Sequence, residues 1–567
     1  MADIPTRTLP AVRQIGPHPH YRRIQSWLKT CSSSHIKCRP DWWEDLVKLR
    51  AIDVRRRSIV PLPAHTSYLA LSYVWGRVSQ PSLPVATETL PFQLPSKLPK
   101  TIRHAMRVTR KLGFNYLWVD SVCIDQSSPE DKATQLDLMD RIYQGAYATI
   151  VALGSPNANA GLCRVGKEKT QARQTPVFHQ GAVQYLSFLP TLREELDRST
   201  WMQRGWTYQE GLLSNRCIFF GHNQVYFACN EMGISEDTDG ENMRSRNLKG
   251  PKSEEFHQNQ ALVNPLKSYV VETRSPSAVF NSMIREYTNR KLTNEEDTLD
   301  AVSGVLRLLK ESILPKGFLF GLPLNLFRSA LLWTHSSSSP LRRCEVDCFP
   351  SWSWASWHLE SPICIPDEID DDYAHVQPPL KIRHLDNWIE WEPRRVYATR
   401  KHGRGTTMLK RLQSLYETTT KMLSGCKDVP LSTTHNGLLY VQGIVLRLPC
   451  SQVLVQPSPS SRHREPWLQF GSKSLDTSRR EQVFYISQEA LLLAVHNNVK
   501  YDVLLVSAET MCIDSIDARL VSLHFLILGW TNGVARRIGV AKILFSEDEL
   551  VNLWPECDAC YRGFWLG

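Results

Sequence analysis

The chain has 567 residues, 42% hydrophobic and 22% charged, a balance that excludes a disordered or fibrous protein. One core does not grow to this length, so about two to four packed units are expected. The formal charge of +10 and pI of about 8.9 are mildly basic, but the basic residues are scattered. The small clusters at Arg55-Arg56-Arg57 and Arg400-Lys401 fall short of the concentrated stripe of a nucleic-acid face, and no nucleic-acid partner is expected.

The opening sequence, MADIPTRTLPAVRQIG, has no apolar stretch of the kind a secretory signal carries. No apolar run approaches the ~18 residues of a membrane span. Fourteen cysteines without short regular spacing read as reduced thiols of a cytoplasmic protein. Residues 1–60 form an approach segment with a helix around Tyr21–Thr30. Cys31, His35 and Cys38 lie close together there. A zinc site needs four suitably spaced ligands, and the only obvious supplement, Cys557 and Cys560, is far away in sequence. Buried or idle thiols are the preferred reading, and no metal is assigned.

Between 61 and 230 the pattern is regular. Tyr68–Trp75 is a short apolar strand ending at Gly76. Pro99 opens a helix on which Ile102, Ala105, Met106 and Leu112 recur at helical spacing, and Gly113 stops it. Tyr116–Val119 is a second strand. After Pro129, Ala133, Leu136, Met139, Ile142, Tyr143 and Ala146 mark one face of a further helix. Ala148–Leu153 is a third strand. Strand, helix, strand, helix, strand implies parallel pairing with right-handed crossovers, and continuous apolar strands fit a sheet covered on both faces.

Residues 231–360 begin polar and loop-like, become helical around Leu299–Leu309, and end in an aromatic cluster, Pro350-Ser-Trp-Ser-Trp-Ala-Ser-Trp357. Packing against a neighbouring domain is its preferred use, ahead of stacking a ligand. Residues 361–436, with the acidic run Asp367–Asp372 and a basic loop near Arg400, read as a variable surface segment. Residues 437–567 read as a β-rich module. Leu439–Leu448 and Asp502–Val506 are strands, and Asn532-Gly533 joins His524–Trp530 to Val534–Leu544 as a hairpin. No repeat array is seen.

Several of these segments resemble, in order, the motifs of the fungal heterokaryon-incompatibility (HET) domain. They are Tyr68–Gly76, Leu98–Arg103 with Tyr116–Gln126, Met139–Gly154, and Arg204–Glu210 with Leu212–Arg216. Pro350–Trp357 is similar to a stretch common after such domains. The resemblance covers roughly residues 68–230 and implies non-self recognition that triggers cell death or growth arrest, a fungal innate immunity. It also implies self-association or association with another incompatibility protein. HET domains have been compared with TIR domains, so the expected fold is a TIR- or flavodoxin-like parallel sheet flanked by helices, followed by a helical middle region and the β-rich module. Some TIR domains cleave NAD through a glutamate in W-x-x-x-E, a spacing that Trp206 and Glu210 share.

In open parallel sheets ligands bind beyond the carboxyl ends of the strands. Ser72, Tyr73, Asp120, Asp125 and Ser155 fall there, and Arg204, Trp206 and Glu210 open a later helix. If NAD is the substrate, Glu210 would be the catalytic carboxylate facing the developing oxocarbenium charge. Trp206 would be a stacking wall and Arg204 a phosphate contact. Each residue also has a structural reading. Glu210 could cap a helix or pair with Arg204 or Arg216. Trp75, Trp118 and Trp206 are core candidates. Asp120 and Asp125 could satisfy loop amides, Cys123 reads as an inert thiol, and Gly76 and Gly154 could only permit tight turns. The chain lacks a P-loop, a G-x-G-x-x-G after a strand, H-E-x-x-H and G-x-S-x-G, so the corresponding NTPases, dehydrogenases, zincins and hydrolases are not indicated.

Overall fold

A computed structural model of the chain describes residues 13–39, 46, 49–81, 90–166, 176–180, 183–186, 189–238, 275–335, 342–345, 348–359, 362–366, 378, 380–384, 387–389, 413–415, 417–419, 437–457, 464–470, 500–512, 519–546 and 558–567. The chain divides into two compact units. The first takes Met1–Arg274, Arg290–Leu292 and Asp300–Val305, and the second takes Ser275–Asn289, Thr293–Leu299 and Leu306–Gly567. The acidic run Asp367–Asp372, the basic loop near Arg400, and Cys557 lie outside the described residues.

The first unit contains strands β1 (Arg50–Asp53), β2 (Ser58–Pro61), β3 (Tyr68–Ser72), β4 (Phe92–Gln93), β5 (Tyr116–Trp118), β6 (Ala148–Val151), β7 (Pro176–Gln180), β8 (Val183–Leu186), β9 (Arg216–Phe220), β10 (Val225–Cys229) and β11 (Gly233–Ser235). Strands β7 and β8 pair with each other; the other nine form one sheet in the order β11-β10-β9-β6-β3-β5-β1-β2-β4. Its four central strands, β9-β6-β3-β5, are parallel. Every flanking pair is antiparallel. The sheet is therefore mixed, where a parallel one was expected. The difference arises at the edges: β1–β2 and β9–β10–β11 are joined by turns too short for the crossover that parallel pairing requires.

The centre follows the sequence pattern. β3, β6 and β9 are buried along their whole length, as continuous apolar strands covered on both faces must be. Helix α1 (Tyr21–Ser34) buries Ile24, Trp27, Leu28 and Cys31, an i, i+3, i+4, i+7 stripe. Helix α2 (Lys100–Leu112) buries Ile102, Ala105, Met106, Val108 and Leu112 and ends at Gly113 in the left-handed conformation, φ +95°. After the short α3 (Asp120–Cys123), the single helix expected beyond Pro129 is two. These are α4 (Pro129–Asp137), capped by the Ser128 side chain, and α5 (Met139–Gly145), with Leu138 between them. Next come α6 (Leu192–Asp197), opened by a Thr191–Glu194 capping box, and α7 (Trp206–Leu213).

Taken in chain order, the four parallel strands lie as second, first, third, fourth. The chain leaves β3 for one side and comes back to the other, so the switch point lies between the carboxyl ends of β3 and β6. Two glycines shape that edge for different reasons. Gly76 has φ +65°, and a Cβ on it would lie 2.6 Å from the Asn157 Cβ, so both its backbone and its space demand glycine. Gly154 is needed for space: a Cβ there would lie 2.6 Å from the Gly221 carbonyl oxygen.

In the second unit a helix at Pro276–Thr288 has Ser275 as its cap and proline in its first turn. Val279, Phe280, Met283, Ile284 and Tyr287 supply its apolar face. Trp352, Trp354 and Trp357 are buried within this unit. Their indoles donate to the carbonyls of Gly437, Gly321 and Ser351 at 3.1, 3.1 and 2.8 Å, so they pack rather than present rings to a ligand. The strands Leu439–Pro457, Lys500–Cys512, Arg519–Thr531, Val534–Ser546 and Cys560–Leu566 pair in sequence, and the last also pairs with the first, closing the sheet on itself. Arg519–Thr531 and Val534–Ser546 form the expected hairpin, with Asn532 at φ 50° and Gly533 at φ 78°.

These contacts give a paired test. Gly154→Ala should lower unfolding stability by about 1–3 kcal/mol, the usual cost of overpacking. Gly233→Ala, which meets nothing within 4 Å, should change it by only a few tenths. Denaturant titration of both variants beside wild type checks the contrast, and equal effects would contradict it.

Candidate functional site

The motif residues converge at the switch point. Ser72 closes β3, and its hydroxyl donates to the Glu210 carboxylate on α7. The Trp201 indole donates to the same hydroxyl oxygen at 2.7 Å. Tyr143 on α5 also hydrogen-bonds Glu210, and its hydroxyl lies 3.3 Å from the Leu71 carbonyl. Glu210 is only 5% exposed. Helix α7 can bring it this close because Gly211 has no side chain: a Cβ there would lie 2.7 Å from the Trp201 ring.

Beside this centre lies Asp120, the first residue of α3. It accepts from the Trp75 indole at 2.9 Å and from the Ser121 backbone N–H at 2.6 Å. Tyr73 is buried, with its hydroxyl 2.8 Å from Gln80 Oε1 and 2.7 Å from Ser121 Oγ. Burial, and then the charge of Asp120, push the Glu210 carboxyl up to about 7, against the opposing hydrogen bond from Ser72 and the charge of Arg204. Burial likewise pushes Asp120 up to about 6, opposed by the Ser121 N–H, the Trp75 indole and Arg204. Two neighbouring carboxyls are thus held near their protonation midpoints around neutrality, the condition for storing or passing a proton.

Arg204 is close enough to influence both carboxyls, yet its guanidinium forms no hydrogen bond or ion pair among the described residues. Arg216 is occupied elsewhere. It donates to the Tyr147 carbonyl at 2.9 Å and to Cys31 Sγ at 3.0 Å, and stacks over the Tyr147 ring. Glu210 therefore pairs with neither arginine among the described residues.

The remaining sequence candidates are not brought into this centre. Asp125 accepts from the Ser127 N–H at 2.9 Å and from its hydroxyl at 2.5 Å, a local Asx turn. Ser155 donates to the Gly161 carbonyl in its own loop. Trp206 packs against the hydrophobic core. Trp118 is fully buried, edge-on to Tyr143. Cys123 is buried, and burial pushes its thiol up to about 12, as an inert cysteine requires. Sequence reasoning missed Trp201 and placed Tyr143 only on a helix face. Both lie inside the matched motif region, but no periodic signal distinguishes a core aromatic from one aimed at a buried carboxyl. Among the described residues, the side-chain groups spaced to hold a metal lie elsewhere.

The family model described as Heterokaryon incompatibility protein (HET) matches residues 68–210. That span runs from the first residue of β3 to Glu210, so it contains the whole centre. The chain is 30% identical to heterokaryon incompatibility protein 6, OR allele, of Neurospora crassa, over 28% of this chain and 29% of that protein. The match thus spans less than a third of the length of that curated relative. No solved structure matches the chain. The matched span and the ordered motifs within it show that the chain contains a HET domain.

Proposed function

We propose that the chain acts in fungal heterokaryon incompatibility, with the HET domain serving as a signalling module that associates with itself or with another incompatibility protein to cause growth arrest or cell death. One observation carries this reading: the carboxyl at the heart of the matched motifs is sealed. Ser72, Tyr143 and Trp201 cover Glu210 at the switch point where an open α/β enzyme would expose its site. A satisfied buried network of this kind fixes how α7, α5 and β3 pack. It suits a module whose output is a surface.

A second reading, a TIR-like NAD hydrolase with Glu210 as the catalytic carboxylate, is favoured by a different observation. The Glu210 and Asp120 carboxyls are both raised, and the Arg204 guanidinium beside them is uncommitted among the described residues. Induced expression in a compatible fungal host, with cellular NAD followed alongside growth, separates the two. The signalling reading expects growth arrest with NAD unchanged, and no NAD consumption by concentrated purified protein. Arrest that tracks NAD loss, with both abolished in Glu210→Gln, would replace it with the hydrolase. No arrest in any host background would remove both.

The sealed carboxyl also has a thermodynamic signature. A folded-state value raised from 4.5 to about 7 means that the folded chain holds a proton the unfolded chain has released. Stability attributable to Glu210 is therefore full below about pH 4.5 and declines as pH rises to about 7. In Glu210→Gln, which keeps the shape and stays neutral, unfolding stability should decline less across that window and run parallel to wild type above it. Ser72→Ala strands both the Trp201 N–H and the carboxyl, and should cost about 1–3 kcal/mol. Identical pH profiles for wild type and Glu210→Gln would show that the carboxyl is not raised.

A further inference from the structure

Four metal-ligand side chains outside the centre just described meet at one point. Cys31 lies in the last turn of α1. His35 is the residue that ends that helix, its backbone N–H returning to the Cys31 carbonyl at 3.0 Å. Cys38 ends the short 3-10 turn Ile36–Cys38 that follows. Cys229 is the last residue of β10, and so comes from the other end of the domain's sequence. Their donor atoms all lie within 4.8 Å of one another. Cys229 Sγ is 3.3 Å from His35 Nδ1. The three thiols are free cysteines and contact one another. All four residues are buried, at 0%, 6%, 0% and 0% exposure.

From this geometry we infer that Cys31, His35, Cys38 and Cys229 form a structural zinc site. Tetrahedral zinc with Zn–S bonds of about 2.3 Å holds its sulfurs about 3.8 Å apart, which the cluster accommodates. A Cys3His set is soft, compact and complete, and its fourth donor is a protein side chain. That is the closed arrangement of a structural site, not the open one of a catalytic site. Four oxygen ligands would suit calcium or magnesium; this set does not.

The surroundings are those of a thiolate centre. Three thiolates and a neutral imidazole around a divalent zinc leave one negative charge, and the Arg216 guanidinium donates to Cys31 Sγ at 3.0 Å. The backbone N–H of Asn230, next to Cys229, donates to the Cys38 sulfur. Such donors to sulfur orient and stabilise ligating thiolates. The two ligand-bearing loops are also tied directly. The Asn230 side chain donates to the Lys37 carbonyl at 2.5 Å, and the Lys37 N–H donates to the Glu231 carboxylate at 3.0 Å. The zinc would thus staple the end of α1 to the turn between β10 and β11, and its binding energy would count as folding energy for that edge.

Cys560, which the sequence offered as a supplement, sits on the strand Cys560–Leu566 of the second unit. The fourth ligand is instead Cys229.

The test uses the full chain, purified under reducing conditions from zinc-supplemented cells. Elemental analysis should find one zinc per chain. Exchange with cobalt should give the ligand-field and sulfur-to-cobalt bands of a tetrahedral thiolate site. Cys229→Ser should lose bound zinc by at least tenfold, while Cys217→Ser, also a buried cysteine on this sheet, should retain it. Should Cys229→Ser fail to fold, His35→Cys decides, because it keeps four donors and should still hold zinc with a cobalt spectrum shifted toward four sulfurs. A wild-type chain that carries no zinc and gives no cobalt bands overturns the assignment, as does zinc retained in full by folded Cys229→Ser.

Discussion

A carboxyl buried between a helix and the end of a parallel strand must be neutralised, hydrogen-bonded or paired, because leaving it charged and unpartnered in a low-dielectric interior costs several kcal/mol. At Glu210 the domain neutralises and hydrogen-bonds. The Ser72 hydroxyl donates a hydrogen bond to the Glu210 carboxyl and accepts one from the Trp201 indole, so one oxygen at the strand end serves two neighbours. That choice constrains the packing around it. Trp201 must approach α7 closely to reach Ser72, and a Cβ at position 211 would lie 2.7 Å from its ring, which is why that position is glycine. Tyr143 reaches the same carboxyl from α5, and its hydroxyl lies 3.3 Å from the Leu71 carbonyl, which ties α5 to β3 and α7. Asp120, raised by the same burial and adding its charge to that of Glu210, is steadied by the Trp75 indole. The aromatic richness of the matched motifs thus has a specific use: indoles and phenols bury a large surface and still bring one polar atom to a carboxyl.

Much of this was legible in the sequence, and the reason is locality. Strands β3, β5 and β6 announce themselves as apolar runs, α2 by its stop at Gly113, and the Asn532-Gly533 hairpin by its turn. Each is specified by residues within about a dozen positions. What the sequence hid depends on pairs far apart in the chain. Ser72 and Glu210 are separated by 138 residues, and no spacing rule relates them. Cys229 joins a triad 191 residues before it in the chain, a distance at which it looks like one more apolar strand residue. Strands β1, β2 and β4 run for four, four and two residues, too short to carry a period, and with the antiparallel β10 and β11 at the other edge they make mixed a sheet whose centre reads as parallel. The helix Pro276–Thr288 carries its own cap and apolar face, but it follows a long polar stretch that reads as loop.

The same contrast governs how the amino-terminal segment is held. Nothing in the order of its residues says where α1 belongs, yet it is anchored at both ends to the β10–β11 edge of the sheet. At its start, Glu236 accepts from the His20 N–H at 2.8 Å and from the Val225 N–H at 2.8 Å, and forms a buried ion pair with Arg164. Arg164 in turn donates to the Gly16 carbonyl at 2.8 Å, and Arg23 on α1 reaches the Glu236 carbonyl at 2.5 Å. At the helix's far end, Cys31, His35 and Cys38 converge with Cys229.

These two anchors are of different kinds, and they fail differently. A buried ion pair such as Arg164–Glu236 is sensitive to losing either partner, because the survivor is left charged and enclosed. It is also wired into backbone groups on three segments, so removing Glu236 would release the start of α1, the loop at Arg164 and the start of β10 together. The sulfur and imidazole cluster draws its ligands from only two places, the residues after α1 and the end of β10. Whatever holds it therefore bears on a single junction. Between them the anchors fix α1 along its length, so its Ile24, Trp27, Leu28 stripe stays against the sheet without help from helix propensity, which is modest for a segment carrying three consecutive serines at its end.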